Sequence, residues 1–124
     1  MYPIERPPTV GVIFILAKWL DTLFQWIRSN NKVTSVTTTY TAMIPDYLIL
    51  CDATGGAFTI TLPAATAVLE KEYTIKKTDA SVNAITVNGG GTNIDGAATA
   101  SLAAQWNTIT VKSNGTTWSQ ISGL

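Results

Sequence analysis

The strongest constraint on this chain is a change of period at Lys32: before it apolar side chains recur every three to four residues, and after it they alternate with polar ones. Helical spacing gathers residues three and four apart on one side of a helix, whereas alternation places every second residue on one face of a strand. The chain is therefore expected to divide into a helix-bearing segment, residues 1–31, and a β-domain, residues 32–124.

The N-terminal segment opens with MYPIERPP, which holds three of the five prolines and reads as an extended arm. Thr9 is placed to cap a helix running from about Val10 to Arg28, which Ser29-Asn30-Asn31 would end. Ile13, Leu16, Leu20, Leu23 and Ile27 follow the a/d spacing of a coiled-coil seam, with Trp19 and Trp26 at g and Ala17 and Phe24 at e. That stripe is wider than a two-stranded seam requires, and it suits three helices or a helix that also lies on another protein. Ile13, Leu16, Trp19, Leu20, Leu23, Phe24, Trp26 and Ile27 are thus expected to make a trimer and attachment surface. Two other readings are an intramolecular core helix and a membrane-active helix. Spanning is not expected, because the uninterrupted apolar run from Val10 to Ala17 stops at Lys18, well short of the roughly 20 residues a bilayer needs.

Beyond Lys32 the sequence carries seven or eight short strand signals. They lie in Val33 to Thr41, Asp46 to Asp52, Phe58 to Leu62, Tyr73 to Lys77, Ile85 to Val87, Trp106 to Ser113 and Thr116 to Ile121. Asn114-Gly115 between the last two predicts a two-residue type I′ hairpin. The sum predicts a mainly β fold: an N-terminal α-helix followed by a β-sandwich, jelly-roll-like, with the 20 threonines mostly on outer strand faces.

Little in the sequence points to chemistry. With no histidine, Ser-His-Asp and Cys-His pairs and histidine-bound zinc are excluded. The lone Cys51 forms no intrachain disulfide and reads as a core residue. Asp46 with Asp52, and Glu70 with Glu72, supply carboxylates, but their neighbours are turn residues or lysines. NGGGTNIDG lacks the lysine and helix of a phosphate loop and the repeat of a calcium-binding roll. Net charge is zero, without the basic footprint of a nucleic-acid binder. No cofactor or metal is expected, and no catalytic residue. Trp106 and Trp118, read as lying on the last two strands, could offer stacking faces to a glycan, against a simpler role in core or subunit packing.

The pieces YLILCDATGG, TITLPAA, YTIKKTDAS, NAITVNGGG, TNIDGAA and TITVKSNGTTW occur in this order over about 70 residues. Together they resemble a small β-domain of tailed-bacteriophage head-fibre, tail-fibre and capsid-decoration proteins. The resemblance implies a homotrimer on the virion surface, hung by its N-terminal segment on a capsid, portal or tail protein. It implies a non-enzymatic structural role as a short head fibre or decoration protein, or alternatively a tail-fibre-type adhesin binding a host-surface receptor or glycan. Two departures stand out. The loop from Ala67 to Glu72 lacks the glycine expected before the Tyr-Thr-Ile strand, and only Ser119 to Leu124 follow Trp118, so a complete long tail fibre is not expected.

Overall fold

A computed structural model describes residues 16–25 and 31–123 of the chain. Residues 16–25 form a helix, α1. The strands that follow are β1 (Lys32–Val36), β2 (Tyr40–Thr41), β3 (Asp46–Cys51), β4 (Phe58–Thr61), β5 (Glu72–Lys77), β6 (Ile85–Asn88), β7 (Thr99–Leu102), β8 (Thr108–Ser113) and β9 (Trp118–Gly123). The fold is mainly β, with one short helix near the N-terminus. The run from Val33 to Thr41 divides into β1 and β2. The alternation pattern gave no sign of β7, because Thr-Ala-Ser-Leu offers only one large apolar side chain.

The strands form two mixed sheets, ordered β1-β3-β5-β8-β9 and β2-β4-β6-β7. From β1 to β6 the chain crosses to the other sheet after every strand, so that each strand lies beside and parallel to the one two places earlier. This winding corrects the jelly-roll expectation, since jelly rolls are built from antiparallel Greek keys and four of the seven pairings here are parallel. Between the named strands, antiparallel pairing appears where β7, β8 and β9 close the two sheets. Successive turns of the winding lengthen. Val33 pairs with Leu48, 15 residues on, and Tyr40 with Ile60, 20 on; Leu48 pairs with Thr74, 26 on, and Phe58 with Ile85, 27 on.

Parallel register brings like beside like. Ile49, Ile75 and Ile109 form one row across the larger sheet, and Phe58, Ile85 and Leu102 form another across the smaller one. All six are buried in a single core between the sheets. Each contributes about 1.5–3 kcal/mol relative to exposure. The outward positions carry the hydroxyls: Thr59, Thr86 and Ser101 share a row, and the Thr74 and Thr110 hydroxyls meet at 3.0 Å.

Loops supply the tightest backbone demands. Gly90 has φ +67°, and a Cβ there would stand 2.0 Å from the Leu62 carbonyl oxygen, so no other residue fits without moving backbone. The loop before β5 takes the same left-handed conformation at Glu70 (φ 64°), with its N–H on the Ser113 carbonyl at 3.0 Å. A glutamate therefore holds a backbone conformation that glycine would adopt without strain. The β8–β9 connection is not a type I′ turn. Ser113 pairs with Trp118, leaving four loop residues, and the Asn114 side chain accepts from the Thr116 and Thr117 N–H groups, both at 2.9 Å. Only Gly115 in that loop has positive φ, whereas a type I′ turn needs two such residues.

Candidate functional site

Helix α1 carries five of the eight residues expected to make the trimer and attachment surface. Leu16, Trp19, Leu20 and Phe24 are 46–62% exposed, and Leu23 is half-buried. Ile13, Trp26 and Ile27 lie outside the described residues. Leu16, Leu20 and Leu23, with Trp19 and Phe24 flanking them, share a side of the helix by spacing. Among the described residues, no helix is long and apolar enough to cross a membrane.

An open groove of about 680 Å³ lies beside Asn31, at the end of the β-domain where the chain enters it. Ile44, Tyr47 and Leu69 give it an apolar floor, and Glu70, Lys71, Glu72 and Lys112 a rim of mixed sign. Several of its polar groups are already engaged. The Tyr47 hydroxyl donates to Glu72 at 3.0 Å, and the Lys71 ammonium donates to the Asp46 carbonyl at 2.6 Å while lying 4.7 Å from the Tyr73 ring centroid.

The carboxylates noted in the sequence serve the fold. Asp46 is buried and accepts from the Thr34 hydroxyl (2.6 Å), the Tyr40 hydroxyl (2.7 Å) and the Met43 N–H (2.8 Å). Burial alone would raise its pKa, but those bonds and the Lys32 charge outweigh it and hold the group below the usual carboxylate range. Asp52 caps a turn, accepting from the Thr54 N–H and hydroxyl. Among the described residues, no three His, Cys, Asp or Glu side chains converge as metal ligands would.

A second buried cluster escaped the sequence reading. The Lys77 side chain is fully buried, and its ammonium has three acceptors: the Asp79 carboxylate at 2.7 Å, the Asp79 carbonyl at 3.2 Å and the Ser81 hydroxyl at 3.4 Å. Asp79 accepts in turn from the Ala53 N–H (2.7 Å), the Ser81 N–H (3.0 Å) and the Ser81 hydroxyl. All three ammonium protons have acceptors, which is the condition under which a buried charge is tolerated. Cys51, the register partner of Lys77, is buried beside it. Lys77 shares the inner face of β5 with Tyr73 and Ile75, and nothing in the sequence points to Asp79 as its partner.

The two tryptophans do not form a common surface. Trp118 is fully buried, its indole N–H donating to the Pro63 carbonyl at 3.1 Å and its ring meeting Tyr73 edge-on at 5.6 Å, so it has no face to offer a sugar. Trp106 lies before β8 rather than on it, 59% exposed, with the Lys76 ammonium 5.3 Å from its ring centroid. Its backbone is left-handed at φ +70°, a conformation that is a genuine outlier for a bulky side chain and costs about 1–3 kcal/mol. The loop fixes it there. Trp106 N–H donates to the Lys77 carbonyl (2.8 Å), the Thr108 hydroxyl to the Trp106 carbonyl (3.0 Å), and the Ala103 and Ala104 N–H groups to the Asn107 side chain (3.1 and 2.9 Å). Trp118 faces the inward Ser113 across the β8–β9 pair, whereas Trp106 stands outside β8. Lys76, its neighbour on the sheet, carried no signal in the sequence. No family model matches the chain, and the search of curated proteins found no match.

Proposed function

We propose that this chain is a non-enzymatic bacteriophage virion protein, a short trimeric head fibre or capsid decoration at the particle surface. In this reading residues 1–31 trimerise and attach it to a capsid, portal or tail protein. The supporting observation is the side of α1 that carries Leu16, Trp19, Leu20 and Phe24 exposed, ahead of a β-domain that closes its own core. An exposed apolar surface of that kind marks an interface. Three copies packed through it would each bury several large side chains, at about 1.5–3 kcal/mol apiece.

Sedimentation of the full chain tests the assembly. The wild type is expected to run as a trimer and Leu20→Asp as a folded monomer; a trimeric Leu20→Asp would move the contact to the β-domain. Particles lacking the protein test attachment. Full-length chain should decorate them and residues 32–124 should not, and equal decoration by the truncated form would place the anchor in the β-domain.

A further inference from the structure

We propose that Trp106 and Lys76 form a binding site for an acidic polysaccharide, the indole stacking on a pyranose ring and the ammonium pairing with a sugar carboxylate or phosphate. The site uses only the surface of one β-domain and does not depend on the trimer, while the choice of bacterial envelope glycans as ligands rests on the virion reading. Two features of Trp106 have no use in the fold. A large aromatic ring normally repays its place by burial, yet this one is exposed. A left-handed backbone is ordinarily left to glycine or asparagine, yet here a tryptophan holds it at φ +70°. Strain kept at a side chain that packs against no core points to a task at the surface.

The surroundings define the ligand. Lys76 is paired in register with Thr108, and among the described residues its ammonium has no carboxylate partner; the one ion pair there is Lys77 with Asp79. Glu72, on the same face of β5, lies four residues away, about 13 Å at strand rise. Beside Trp106 in the chain stand Gln105, Asn107 and Thr108, amides and a hydroxyl. One aromatic platform, one available cation and a polar rim match a sugar that carries an acid group. A protein partner would ask instead for a well-packed ring of contacts around the anchor that seals it from water. Gln105 already donates its amide N–H to the Thr78 carbonyl at 3.1 Å, which leaves its carbonyl oxygen to accept from a sugar hydroxyl.

The test uses the full chain and an array of uronate-bearing, phosphate-bearing and neutral bacterial polysaccharides. Wild type should bind at least one acidic class above the neutral ones, with affinity falling as salt rises. Lys76→Gln should lose that preference while retaining weak stacking, and Trp106→Gly should weaken binding by about tenfold or more. Trp106→Gly should also melt at or above the wild-type temperature, because glycine relieves the strained backbone. That readout separates a binding role from a structural one. No acidic polysaccharide bound by wild type, unchanged binding by Trp106→Gly, or a clear fall in its melting temperature would each overturn the proposal. So would binding to host envelope fragments that survives periodate but not protease, which would indicate a protein partner.

Discussion

Cys51 and Asp79 lie in one buried cluster and respond to it in opposite ways. Burial pushes the Cys51 thiol up to about 12, with the nearby Asp79 charge acting in the same direction. At pH 8 the thiolate would then be about one molecule in ten thousand. Iodoacetamide should leave native Cys51 unmodified at that pH and label it fully once denaturant opens the core; rapid native labelling would contradict the burial. For Asp79, burial would raise the pKa, but hydrogen bonds from Lys77, Ser81 and the Ala53 and Ser81 N–H groups outweigh it and hold the carboxyl far below its ordinary value. A depressed folded-state pKa contributes stability that is fully present above the unfolded value, near pH 4, and is lost as pH falls through the folded one. Asp79→Asn should therefore be destabilised at pH 7, and its deficit against wild type should narrow below about pH 4 in urea titrations. A deficit independent of pH would show that shape, not charge, is what the asparagine loses. Of this cluster the sequence disclosed Cys51, from its apolar run. The pairing of Lys77 with Asp79 depends on a bend after β5 that no local pattern encodes.

Elements were legible where large apolar residues alternate, as in β3, β4, β5, β6 and β8. Legibility failed for β7, whose residues are small, and was partial for β9, expected at Thr116 to Ile121 and found at Trp118–Gly123, because its start depends on a four-residue loop set by Asn114 rather than on the Asn-Gly pair itself. The loop entering β5 is the opposite case: the sequence shows that it holds no glycine, and its left-handed position falls on Glu70. Replacing that residue with glycine should raise stability by about 1 kcal/mol, the left-handed penalty less the added freedom of the unfolded chain. Chemical denaturation measures it directly, and a loss of stability would mean that the Glu70 side chain makes contacts worth more than the strain.

For the whole molecule, the period change at Lys32 located the start of β1, but the winding itself stayed hidden. A coiled β-architecture shows in sequence as a fixed repeat, and here the paired residues stand 15, 20, 26 and 27 apart. Loops of unequal length destroy the period while leaving the stacking intact. Because every core residue among the described residues lies after Lys32, residues 32–124 should fold alone and unfold in urea in one cooperative step; a product lacking a transition would mean that the strands need the N-terminal segment. The winding also bears on mechanics. β1 is an edge strand joined to the rest of its sheet only through β3, and it runs parallel to β3 over its five residues. If the particle is held through the N-terminal segment, tension enters at Lys32 and pulls β1 along its own axis. The β1–β3 backbone bonds then share the load and fail together in shear, whereas a sideways pull would unzip them singly. A tether of that geometry holds best when drag is aligned with the strands.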